Sequence, residues 1–103
     1  MKFETTPRFD ADYRSLAREA RQLFREVIPA FSTACDSYAA DPVGFTWPAA
    51  LRVSALRGAR AVWEMTWSFA SPDGRATFEF GTVEGERRLR WRRIGDHAVH
   101  RRP

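Results

Sequence analysis

Apolar positions repeat with two different periods along this chain, and the change of period divides it into a helical half and a stranded half. Residues 1–5 alternate, with Phe3 on the inward side, and predict a short first strand. Thr6-Pro7 then supplies a hydroxyl for a helix N-cap and a proline for the first helical position. Phe9, Tyr13 and Leu16 fall at helical spacing, and Ala20, Leu23, Phe24, Val27, Phe31, Ala34, Cys35 and Tyr38 continue an apolar stripe. Arg18, Glu19, Arg21, Gln22, Arg25 and Glu26 lie mostly on the other side. A single helix over this whole span is long for so small a chain, so the pattern predicts two helices with a break near Ala17-Arg18, packed as a hairpin. Pro29 removes one backbone donor inside the second helix and predicts a kink, and Asp41-Pro42 predicts its end.

Residues 41–50 read as a loop, after which the period drops from 3.6 to 2. Strands are predicted at 51–56, with Gly58 in the turn after it, and at 62–69, 75–83 and 86–94. Pro72-Asp73-Gly74 and Gly85 mark the turns between the last three. Trp63, Met65, Trp67, Phe78 and Phe80 share one face of this meander, joined by Leu89 and Trp91. An antiparallel sheet with one apolar face needs a cover, and the two helices supply it. The expected fold is a two-layer α+β domain in the order β-α-α-β-β-β-β, with two N-terminal helices on a small twisted antiparallel sheet, and residues 1–103 form one domain.

Composition adds a location for charge. The chain has 103 residues and a formal net charge of +4. Residues 87–103 hold seven of its sixteen arginines, both histidines and a single acid, while the rest of the chain is slightly acidic. A clustered basic segment points to a polyanion or an acidic partner. One cysteine, Cys35, excludes an internal disulfide and fits a reducing, cytoplasmic setting. It falls on the apolar stripe and reads as a small core residue. No apolar run approaches the roughly 18 residues needed to span a bilayer. Metal-binding Cys/His spacing, glycine-rich phosphate loops and the Gly-x-Ser-x-Gly elbow are absent, so no metal and no cofactor are expected.

The alternation also composes a polar sheet face. It carries Glu64, Thr66, Ser68, Arg75, Thr77 and Glu79, and the last strand adds Arg88, Arg90, Arg92 and Ile94, with Arg93 turned the other way. Guanidinium forks match phosphate oxygens, so Arg88, Arg90 and Arg92, with Arg52 from the 51–58 stretch, are the expected RNA or phosphate contacts. Glu64 and Glu79 serve equally well as cross-strand partners of arginines. His97 follows Gly95-Asp96 and suits either a turn or proton transfer; His100 is its alternate. Trp63, Trp67 and Trp91 read as core, while Trp47, in a proline-flanked loop, is open to a stacking role.

Taken in order, Phe3-Glu4-Thr5-Thr6-Pro7-Arg8-Phe9, Asp41-Pro42, Leu51-Arg52-Val53-Ser54-Ala55-Leu56-Arg57-Gly58, Val62-Trp63-Glu64-Met65, Gly74-Arg75-Ala76-Thr77-Phe78-Glu79-Phe80 and Arg92-Arg93-Ile94-Gly95-Asp96-His97-Ala98-Val99-His100 resemble the RelE/ParE superfamily of bacterial toxins from type II toxin–antitoxin systems. The resemblance spans nearly the whole chain. It implies a twisted antiparallel sheet with two helices on one face, and one of two activities. RelE-like members cleave mRNA in the ribosomal A site without metal, and ParE-like members inhibit DNA gyrase; a cognate antitoxin silences both. Arg75 stands where RelE-like nucleases carry an arginine, and His97 or His100 stands where several carry a C-terminal histidine or tyrosine. The lysines of the type member are replaced by Glu64 and Thr66, a departure toward a carboxylate and histidine arrangement.

The resulting expectation is a cytoplasmic, metal-independent and ribosome-dependent mRNA endoribonuclease that inhibits translation, with an antitoxin, mRNA and the ribosome as partners and no membrane. Glu64 is the base or orients it, Arg75 clamps the phosphate with Arg90 or Arg92, and His97, or His100, is the acid. The alternatives are a non-enzymatic gyrase inhibitor and an inactive basic RNA- or protein-binding member of the same fold.

Overall fold

The computed structural model describes residues 1–68 and 73–103, with the side chains of all of these except His97 and His100. The end of the predicted 62–69 strand and Pro72 of the predicted turn lie outside the described residues.

Strand β1 (Lys2–Thr5) leads into helix α1 (Pro7–Ser15) and helix α2 (Arg18–Ala40). A 3-10 turn (Ala49–Leu51) precedes the short β2 (Ser54–Ala55), and β3 (Trp63–Ser68), β4 (Gly74–Val83) and β5 (Glu86–Asp96) follow. A second 3-10 turn (His97–Arg101) comes last. The helix start is built as its sequence dictates. The Thr6 hydroxyl accepts from the Phe9 amide at 3.0 Å, and Pro7 begins the helix. The same hydroxyl donates to the Arg92 carbonyl at 2.9 Å, and the Thr6 amide donates to the Trp91 carbonyl at 3.1 Å. The cap therefore also fixes α1 to β5. The break at Leu16-Ala17 falls where expected, and α2 runs unbroken through Pro29. Beyond Ala40, the Asp41 carboxylate accepts from the Gly44 amide at 3.0 Å and turns the chain away.

The five strands form one sheet in the order β1-β5-β4-β3-β2. The pairs β5·β4, β4·β3 and β3·β2 are antiparallel, as the meander predicts, but β1 pairs parallel with β5, so the sheet is mixed. The 51–56 segment differs from its expectation as well. Its first residue closes the 3-10 turn, Arg52 adopts a left-handed φ of 43°, and only Ser54 and Ala55 pair. A left-handed residue breaks the extended run that alternation suggested. The β4–β5 connection is a two-residue turn with Glu84 and Gly85 both at positive φ, the geometry that matches strand twist.

The helices cover the apolar sheet face. Phe31 is fully buried, its ring 5.2 Å from that of Phe78 and 5.1 Å from that of Trp91. Phe24 meets Trp91 at 5.3 Å, edge to face. Buried aromatics of this kind are worth about 0.5–1.5 kcal/mol per pair beyond the area they bury. Trp67 and Trp91 are buried, and Trp63 packs against the core. Trp47 stacks on Tyr38 at 5.4 Å and meets Phe45 edge-on at 5.0 Å, so its ring is engaged within an aromatic cluster. Gly74 is fixed by packing: a Cβ there would lie 2.6 Å from the Trp67 indole.

One irregularity resets the polar face. Thr77 pairs with Arg93 and Phe78 with Trp91, which leaves Arg92 as the extra residue of a β-bulge. Beyond it the alternation reverses. Ile94 pairs with Ala76 in the core and is buried, and Arg93 joins Thr77 on the polar face. This is the opposite of the sequence-based assignment for both residues.

Candidate active site

Glu64 and Arg75 meet on the polar face of β3 and β4. Glu64 is the cross-strand partner of Thr77, so Arg75 is its diagonal neighbour, within reach of a long side chain. Arg75 Nη1 donates to Glu64 Oε1 at 2.6 Å, and Nη2 donates to Asp73 Oδ2 at 3.1 Å. Glu64 is 4% exposed, too dry a position for a carboxylate without its guanidinium. Burial alone would lower the Arg75 pKa; the hydrogen bonds and charges of Asp73 and Glu64 outweigh it and raise the pKa above its ordinary value. Arg75 is a permanent cation, and this triad carries a formal single negative charge. Further positive charge for a phosphate must come from elsewhere.

The 3-10 turn that bears His97 and His100 packs over β4 and β5. Asp96 caps it, accepting from the Ala98 amide at 2.8 Å. Gly95, the partner of Arg75, permits the close approach, since a Cβ there would lie 2.9 Å from Val99 Cγ1. The backbone of the turn is therefore next to Arg75. The proton-transfer roles expected of the two histidine side chains lie outside the described residues.

The turn and the residues after it close a face that alternation alone leaves open. Thr66 and Thr77 are buried, and the Thr77 hydroxyl donates to the Pro103 carbonyl at 3.3 Å. Arg92 Nε donates to the same carbonyl at 2.8 Å, and Arg93 Nη1 donates to the Arg102 carbonyl at 3.3 Å. Residues 102 and 103 are thus held down on the face by hydrogen bonds from β4 and β5.

The β5 arginines stand in a ladder of acids. Arg88 and Arg90 reach Glu4 at 4.0 and 3.1 Å, and Arg90 and Arg92 reach Glu79 at 3.9 and 3.3 Å. Arg93 makes a two-pronged pair with Asp12, Nε to Oδ2 at 2.7 Å and Nη2 to Oδ1 at 3.1 Å. Asp12 Oδ2 also accepts from the Ile94 amide at 3.3 Å. A cleft of about 380 Å³ opens here, lined by Thr6, Arg8, Glu79, Arg90, Arg92, Arg93, Arg102 and Pro103. The expected arginines Arg90 and Arg92 line it. Arg52 does not belong with them: it precedes Ser54, the partner of Glu64, at the β2 side of the sheet. Arg8, Arg93 and Arg102 were not expected here; the bulge at Arg92 and the return of the C-terminal segment bring them in. Among the described residues, no group of three or more His, Cys, Asp or Glu is placed to hold a metal ion, and no helix is long and apolar enough to cross a membrane.

No family model matches the sequence, and no curated protein matches it at a significant level. The chain superposes on a "YoeB/ParE toxin from Agrobacterium tumefaciens" with a TM-score of 0.56, covering 94% of this chain and 99% of that one at 14% identity. The chain has the RelE/ParE toxin fold. Two N-terminal helices, a β-α-α-β-β-β-β order and one sheet with the helices on its apolar side are the common frame. Within the RelE/ParE fold, the Glu64–Arg75 pair lies on the polar side of the sheet, and the arginine cleft lies between β5 and the start of α1.

Proposed function

We propose that this chain is the toxin of a type II toxin–antitoxin pair, and that it is a metal-independent, ribosome-dependent mRNA endoribonuclease neutralised by a cognate antitoxin. The observation that carries this reading is the hydrogen-bonded Glu64–Arg75 pair beside the turn bearing His97 and His100, on a RelE/ParE fold. Strand cleavage requires removal of the ribose 2′-OH proton, attack of that oxygen on phosphorus, and protonation of the departing 5′-oxygen. The products are a 2′,3′-cyclic phosphate and a 5′-hydroxyl, with no redox change. Glu64 takes the 2′-OH proton or orients the group that does. Arg75 balances charge on the phosphorane, and Arg90 or Arg92, which sit beside Glu79 further along the sheet, helps by holding a neighbouring phosphate of the strand. His97 donates to the leaving oxygen, with His100 as its alternate, because an imidazole gives up a proton near neutral pH. All of this takes place in the cytoplasm.

A specific observation favours a second reading. Both terminal nitrogens of Arg75 are engaged by carboxylates, and residues 102 and 103 are bonded down on the same face. A ParE-like toxin that inhibits DNA gyrase by binding needs no free guanidinium there. The two separate in one experiment on the purified protein, in which mRNA 5′ ends are mapped in a translation reaction and gyrase supercoiling is assayed in parallel. New mRNA ends with unimpaired supercoiling support the nuclease; inhibited supercoiling with intact mRNA supports the second reading. Neither effect, with normal growth on induction, leaves an inactive RNA- or protein-binding member of the fold.

A further inference from the structure

We infer that the cleft between β5 and the start of α1 is a binding site for a backbone phosphate of single-stranded nucleic acid, separate from the Glu64–Arg75 pair. It deepens the nucleic-acid reading above and rests on it only for the choice of polymer. Five guanidinium groups, those of Arg8, Arg90, Arg92, Arg93 and Arg102, line the cleft with the carboxylate of Glu79, and Glu4 and Asp12 pair with Arg90, Arg93 and Arg8 from beside it, so the guanidinium groups outnumber these acidic side chains five to three. They converge from three parts of the chain: three from β5, Arg8 from α1 and Arg102 from the C-terminal segment.

Three of the five are already oriented. Glu4 holds Arg90 through its Nε at 3.1 Å, Glu79 pairs with Arg92 at 3.3 Å, and the two-pronged pair with Asp12 holds Arg93. Orientation before binding lowers the entropy lost when a ligand arrives. Arg92 Nε and Arg93 Nη1 in turn donate to the backbone oxygens of Pro103 and Arg102. The protein's own backbone thus shows where acceptor oxygens sit in this cleft. A phosphate oxygen that displaces the Arg102 carbonyl from Arg93 forms a shorter and roughly twice stronger hydrogen bond than that neutral acceptor does. Arg8, with 66% of its side chain exposed, and Arg102, also exposed, stand at the rim and can close over a bound group. A phosphodiester fits this better than a protein carboxylate. Its oxygens are arranged tetrahedrally, which suits guanidinium groups arriving from three directions, whereas a carboxylate presents two oxygens in one plane. The lining holds no aromatic side chain, so the cleft tracks a charged backbone and reads no bases.

The test is fluorescence anisotropy with a short, end-labelled 2′-O-methyl oligoribonucleotide, which lacks the attacking hydroxyl, so binding is scored without cleavage. Arg8→Ala and Arg102→Ala each weaken binding by roughly threefold or more, the effects multiply in the double variant, and each lowers the salt slope by about one. Arg18→Ala and Arg60→Ala, exposed arginines outside the cleft, leave binding within about twofold. Equal losses from all four variants, or none from Arg8→Ala and Arg102→Ala, overturn the site. So does an Arg8- and Arg102-dependent affinity for a labelled poly-glutamate peptide without affinity for the oligonucleotide. Cleft-dependent binding by a protein that leaves mRNA intact keeps this site and removes the nuclease reading. Cleavage without cleft-dependent binding does the reverse.

Discussion

Asp12 and Arg93 form a two-pronged ion pair between α1 and β5, with contacts of 2.7 and 3.1 Å and side chains only 14% and 18% exposed. Asp12 accepts the Ile94 amide as well, so one carboxylate fixes both the guanidinium and the strand just beyond the bulge. Asp12→Ala strands a largely buried guanidinium and a strand amide, and is expected to cost roughly 2–4 kcal/mol in urea unfolding. Arg8→Ala, whose contact with the same carboxylate is long and exposed, is expected to cost under about 0.5 kcal/mol. Equal costs for the two substitutions would contradict this division.

Glu64 and Arg75 are coupled by burial. Arg75→Ala leaves the Glu64 carboxylate dry and without this partner, a loss of roughly 3–5 kcal/mol. The double variant Glu64→Leu/Arg75→Met removes both charges and is expected to unfold at a higher urea concentration than Arg75→Ala alone. A double variant less stable than the single one would mean that packing, not the buried charge, sets the cost.

Cys35 is fully buried, and burial pushes its thiol from 9.0 up to about 12. A raised folded pKa stabilises the fold below the unfolded value, and that share is lost as pH rises toward the folded one. Below about pH 9 the thiol is neutral in both states; between about 9 and 12 only the unfolded chain ionises. Stability is expected to fall across that window by up to about 1.4 kcal/mol per pH unit from this group. Cys35→Ala removes that component of the slope. Native protein is also expected to resist a thiol reagent at neutral pH, and rapid labelling without unfolding would contradict the burial.

Gly74 faces the Trp67 indole so closely that any side chain must displace it. Gly74→Ala is expected to cost about 1–3 kcal/mol, as overpacking does, and to change tryptophan fluorescence. Gly81, where a Cβ meets nothing within 4 Å, serves as the comparison, and Gly81→Ala is expected to leave the fluorescence unchanged.

Local signals were readable and distant ones were not. Thr6-Pro7, the break near Ala17, the stop at Asp41 and the Gly85 turn are all set by residues within a few positions of each other, and each falls where the sequence places it. The parallel pairing of β1 with β5 joins residues more than eighty positions apart, and nothing in Lys2–Thr5 states its direction. The bulge at Arg92 carries no special residue type, yet it exchanged the faces of Arg93 and Ile94. The Glu64–Arg75 pair was legible because strand alternation put both on one face. The arginine cleft was not, because it needs the bulge, the α1 cap and the returning C-terminal segment together.

The central claim is that this chain stops growth by cutting mRNA. Its most direct test is induction of the chain in bacteria, with transcript 5′ ends mapped beside His97→Ala and Glu64→Gln variants at equal soluble expression and matched thermal melts. The account predicts growth arrest with new transcript ends for the parent chain, and loss of both by a factor of about 100 or more in the variants. Arrest with intact transcripts, or cleavage undiminished in both variants, would contradict it.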